Sequence, residues 1–172
     1  FRSESTWQTK VKSPTELVVG LLRLTGSYSD RPRRQILERA IEMALMGQEL
    51  LSPLTVEGWH HGTEWIDSGT LLERINFVVQ ELADPGKPGI KTIIDRVVAN
   101  SGAGYSPERL VEACLTYMDT GPVVQDVKSA LVEFASERSG PPLTDAGVEG
   151  QIRDRVVEML RMVASTSNFQ LT

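Results

Sequence analysis

The chain has 172 residues, 40% of them hydrophobic and 24% charged, which fits one globular domain able to bury about 70% of the surface its unfolded form exposes. A formal net charge of -5 opposes attraction to phosphate and removes nucleic acid as an expected partner. No apolar run approaches the roughly 18 residues of a membrane-spanning helix, and a single Cys114 leaves no internal disulfide.

Apolar spacing predicts about seven helices and no period-2 strand, hence an all-α irregular bundle in one domain over 1–172. Ser13-Pro14-Thr15-Glu16 is a capping box with proline in the first turn; Leu17, Val18, Leu21 and Leu22 follow on one stripe, and Gly26 ends the helix. Asp30 is expected to cap a second helix that buries Ile36, Leu37, Ala40, Ile41, Ala44 and Leu45 and stops at Gly47. The run Arg31-Pro32-Arg33-Arg34 opposes the macrodipole at that helix start, so it calls for acidic compensation, which Asp30 can supply, or marks a docking patch for an acidic partner surface.

A loop rich in Trp, Gly and Pro then leads to a third helix, capped by Asp67 or Ser68, with Leu71, Leu72, Ile75, Val78, Val79 and Leu82 inward. Asp84-Pro85-Gly86-Lys87-Pro88-Gly89 should stop it. A fourth helix carries Ile90, Ile93, Ile94, Val97 and Val98, and Asn100-Ser101-Gly102-Ala103-Gly104 breaks it. The fifth opens at Ser106-Pro107-Glu108 and turns Leu110, Val111, Cys114, Leu115 and Met118 inward. After Gly121-Pro122 a sixth carries Val123, Val124, Val127, Leu131 and Phe134. Ser139-Gly140-Pro141-Pro142 is too short to divide domains. Thr144 or Asp145 starts a last helix through Val148, Ile152, Val156, Met159, Leu160 and Val163.

Chemistry concentrates in the loop between the second and third helices. His60 and His61 lie near Glu57, Glu64 and Asp67, a metal-like inventory, but adjacent side chains of an extended segment point apart, so His60, His61 and Glu57 are weak ligand candidates and no metal or cofactor is expected. Trp59 and Trp65 are read as a structural plug between helices, with an aromatic platform for a sugar or peptide as the alternative. Gln48, Arg74 and Asn76 fall near this loop by pattern, and the forked Arg74 guanidinium is read as organising loop carbonyls rather than as catalytic. Cys114 sits on a core stripe, and no Gly-x-Ser-x-Gly elbow or phosphate loop is present.

Three stretches resemble one family. Met46-Gly47-Gln48, Pro53, Gly58-Trp59, Trp65 and then Leu71-Leu72-x-Arg74-x-Asn76-Phe77 carry the main match. Val11-Lys12-Ser13-Pro14-Thr15-Glu16 and Ala164-Ser165-Thr166-Ser167-Asn168-Phe169-Gln170 carry the others, with Thr166-Ser167-Asn168 where the family has a small residue, Pro and an acid. Together they resemble the C-terminal part of the bacterial domain of unknown function eighteen hundred family. The resemblance implies the last third to half of a long exported protein, often encoded beside a sulfatase- or phosphatase-like protein with a twin-arginine signal. Two readings follow: a non-catalytic helical interaction or scaffolding domain with an extracytoplasmic protein partner, or part of an enzyme or of a metal- or carbohydrate-binding site around Trp59, His60, His61 and Trp65, completed by an N-terminal portion.

Overall fold

Ser13 opens the first helix as its residue types dictate: its hydroxyl accepts from the Glu16 amide, the Glu16 carboxylate accepts from the Ser13 amide at 2.8 Å, and proline occupies the first turn. The computed structural model describes residues 9–28, 33–100, 106–137 and 148–172. Within them lie α1 (Pro14–Thr25), α2 (Arg33–Leu45), α3 (Ser68–Glu81), α4 (Pro88–Asn100), α5 (Pro107–Tyr117), α6 (Gln125–Glu137), α7 (Val148–Ala164) and α8 (Ser167–Gln170), with a 3-10 turn at Gly62–Trp65. Extended pairing among the described residues is limited to two isolated antiparallel bridges, Val11 with Leu171 and Thr55 with Gly58.

The fold is all-α, as the spacing predicts, with a short eighth helix that the pattern does not announce. The expected stops hold at Gly26 and Gly47, which adopt φ of 70° and 94°, the left-handed region that glycine enters without a Cβ penalty. Asp67 caps α3 by accepting from Gly69 at 2.7 Å and Thr70 at 2.9 Å. Asp30 as a cap, the side chains of the run 31–34, the break at 101–104, the linker 139–142 and a start of the last helix at 144 or 145 lie outside the described residues.

The core runs through α7, whose Ile152, Val156, Met159, Leu160, Val163 and Ala164 are buried and which touches α3, α4, α5 and α6. Around it stand Leu17, Val18 and Leu21 of α1, Ile90, Ile93 and Ile94 of α4, and Leu110, Val111 and Cys114 of α5, all on their predicted stripes. In α6 the buried positions are Leu131 and Ala135; Val123 and Val124 precede the helix, and Val124 faces solvent.

Three expectations are corrected. Pro88-Gly89 does not end α3 but begins α4, and Gly89 is there for space: a Cβ on it would come within 1.9 Å of the Leu24 carbonyl oxygen, so α1 and α4 meet backbone to backbone. On α3 the inward face is Arg74, Phe77, Val78 and Glu81, while Leu72 is exposed. On α2 the predicted buried stripe faces outward: Ile36 is 61% exposed, Ile41 53%, and Leu37, Ala44 and Leu45 are exposed with them. The inward stripe is instead Arg39, Met43 and Met46, at helical spacing of four and three, with the Arg39 guanidinium 5.4 Å from the Phe77 ring centroid. The helix has two apolar faces, and periodicity alone does not say which one meets the core.

Candidate functional site

The segment from Gly47 to Asp67 folds largely on itself. Gly58 and Gly62 take φ of 112° and 57°, and Leu51 takes 65° although it carries a β-carbon. The Trp59 indole N–H donates to the Glu49 carbonyl at 3.2 Å, tying one arm of the loop to the other, and its ring is half-buried. Trp65 is 4% exposed yet stands outside the main core cluster, and its carbonyl accepts from the Thr70 hydroxyl at 3.0 Å. The loop is therefore pinned to the start of α3 by backbone and hydroxyl contacts, with one indole as its internal filling.

The two histidines separate, as adjacent side chains of extended backbone must. His60 meets the edge of Trp65 with centroids 5.8 Å apart and planes at 89°, and its Nδ1 lies 3.7 Å from Glu64 Oε2. His61 is exposed; its backbone amide donates to Glu64 Oε2 at 3.0 Å and opens the 3-10 turn. Glu57 is exposed, and among the described residues no three of His, Cys, Asp and Glu are grouped to hold a metal ion.

Gln48 and Arg74 stand elsewhere than the loop pattern places them. The Gln48 side-chain oxygen accepts from the Thr15 amide at 2.9 Å and the Thr15 hydroxyl at 2.8 Å, so it secures the first turn of α1. Arg74 is 0% exposed; it donates to the Lys12 carbonyl at 2.9 Å and to Gln170 Oε1 at 3.2 Å, organising the two chain ends rather than the loop between α2 and α3. Burial pushes its pKa down to about 10. Asn76 is exposed on α3. The three stretches that carry the resemblance thus converge on one internal knot: Gln48 on Thr15, and Arg74 between Lys12 and Gln170.

Sequence reasoning passes over Glu81. It is buried, accepts from the Thr25 hydroxyl at 3.0 Å and pairs with Lys87 Nζ at 2.7 Å, with Arg39 Nη1 4.0 Å away. Burial pushes its pKa up, but hydrogen bonds from Lys87, Ser27 and Thr25 outweigh burial and leave it below the ordinary carboxylate value. The available signal is an acid in phase with Phe77 and Val78 on one helix stripe.

Around the loop, the outer surface is unusually apolar. Of the twelve large hydrophobic residues exposed among the described residues, nine fall between Ile36 and Leu72, including Leu50, Leu51, Leu54 and Val56 of the loop. Between Ala40 and Glu73 there are six carboxylates, at Glu42, Glu49, Glu57, Glu64, Asp67 and Glu73, and neither lysine nor arginine. The surface is apolar and acidic together.

Comparison with known proteins gives one match: a family model described as "Protein of unknown function (DUF1800)" fits residues 1–171. No curated protein and no solved structure matches the chain. With the model spanning essentially the whole sequence, and with the matching stretches knotted together around Arg74, the chain belongs to the DUF1800 family.

Proposed function

We propose that this chain is a non-catalytic helical interaction domain of an exported protein, docking a protein partner on the outer face of α2 and the loop that follows it. The observation that carries the reading is the crowding of exposed Ile36, Leu37, Ile41, Leu45, Leu50, Leu51, Leu54 and Val56 in one stretch. Single exposed apolar side chains are ordinary on any surface, whereas a concentration of them marks a place that another molecule covers. Leu37, Ile41 and Leu45 recur every four residues, the spacing at which a partner helix packs along one side of α2.

The six carboxylates and the missing Lys and Arg between 40 and 73 favour an amphipathic helix with apolar anchors and basic flanks, and Arg33 and Arg34 at the start of α2 favour an acidic residue where that helix meets them. The sulfatase- or phosphatase-like neighbour implied by the resemblance is the first protein to test. Titrating it with the full chain should give saturable binding that weakens as salt rises. Ile41→Glu should lower the affinity at least tenfold, because it sets a charge inside the apolar contact, without changing the chain's helicity or melting temperature. Equal affinity of wild type and variant would refute the assignment of α2 as the docking face.

A further inference from the structure

Away from the loop, a trench of about 590 Å³ lies along α1, within the size range of small-molecule sites. Gly20 and Leu24 of α1 and Tyr117 at the end of α5 supply its walls over the buried Leu17, and Lys12 and Phe169 line it where the chain enters α1. None of the loop residues Trp59, His60, His61 and Trp65 takes part. The Tyr117 wall is held in place, since Arg96 donates to its hydroxyl and stands over its ring at 5.1 Å.

Two features of the trench are unexplained by folding. Gly20 sits in the interior of α1, where glycine is destabilising relative to alanine, yet a Cβ there would meet nothing within 4 Å. Its missing side chain serves neither a turn nor a close backbone approach; it leaves room along the helix. Lys12, half-buried, donates to the Phe169 carbonyl at 2.7 Å and lies 4.3 Å from the Phe169 ring centroid, with the Asp119 and Glu16 carboxylates acting on it from farther off. Among the described residues no ion pair within 4.0 Å engages it, because Glu16 is turned to Lys10 at 2.5 Å. Among the described residues, two of its three N–H donors have no hydrogen-bond partner.

We propose that this trench binds an amphipathic monocarboxylate, its hydrocarbon part lying along Gly20 and Leu24 and its carboxylate resting on the Lys12 ammonium. Leu17 to Leu24 spans about 10 Å of helix, the reach of a medium-length alkyl chain. Glu16 and Asp119 both line the trench with Lys12, so a ligand carrying more than one negative charge is repelled there.

The test is calorimetric titration of the full chain with decanoate and, separately, with decanol. Decanoate should bind saturably at one site and at least tenfold more tightly than decanol. Gly20→Leu, which fills the trench from inside, should lower decanoate affinity at least tenfold while melting at or above the wild-type temperature, because leucine is the better helix former. Lys12→Met should erase the preference for decanoate over decanol without abolishing decanol binding. Absence of saturable decanoate binding, unchanged affinity in Gly20→Leu, or equal affinity for acid and alcohol in the wild type would each overturn the proposal.

Discussion

Arg74 has no solvent exposure, and neither of its hydrogen-bond partners, the Lys12 carbonyl and the Gln170 amide oxygen, carries a charge. Among the described residues its Nε and the Gln170 Nε2 are buried without a hydrogen-bond partner, so the guanidinium gives up hydration for only part of its donor capacity. The side chain nevertheless fills volume and holds two distant segments, and these contributions can be separated by substitution. Arg74→Ala should destabilise by about 3–5 kcal/mol, through a cavity and two abandoned acceptors. Arg74→Met should cost only about 1–2 kcal/mol, because it keeps the volume and removes the buried charge together with its hydration penalty. Urea titration of the two variants distinguishes the contributions; equal losses would mean that the hydrogen bonds, not the packing, dominate. At the same scale the sequence was readable in part. It marks Arg74 as an organiser of carbonyls, but no spacing rule says that those carbonyls are near residue 12 rather than near residue 59, because that pairing is long-range.

At the scale of elements, helix ends were the most legible feature, since caps and stops depend on residues three or four apart: Ser13 with Glu16, Asp67 with Gly69 and Thr70, and the left-handed glycines 26 and 47. Faces were less legible. On α4, α5 and α7 one apolar stripe exists and it is buried, whereas α2 offers two, and the richer one, with Ile36, Leu37, Ile41 and Leu45, faces outward. The candidate docking face was therefore present in the sequence as apolar residues but hidden as a surface, because the same pattern ordinarily signals a core. Gly89 is a related case: Pro-Gly reads as a breaker, while here it lets the start of α4 rest on the carbonyl end of α1. Gly89→Ala should cost at least about 3 kcal/mol, since the contact is with backbone that no rotamer change can relieve. Gly20→Ala, in open space on α1, should by the same thermal melts be neutral or stabilising.

For the whole molecule, Glu81 of α3 gathers contacts from three other places in the chain: Thr25 at the end of α1, Arg39 on α2 and Lys87 before α4. Its carboxylate is held below the 4.5 of the free group, so the unfolded chain takes up the proton first as pH falls. The stability it contributes is complete above that unfolded value and is lost as pH drops through the folded one. Melting temperature should accordingly fall on acidification below the free carboxylate range, and Glu81→Gln should melt lower at neutral pH but show a flatter acid limb. An unchanged acid limb in that variant would place the sensitivity elsewhere. The two bridged segments at the extremes of the described chain have a separate implication. Lys10 and Thr172 exchange backbone hydrogen bonds at 3.4 and 2.8 Å, so the segment before α1 and the segment after α8 lie side by side. Main-chain groups alone close this clasp, so side-chain changes at either position leave it shut.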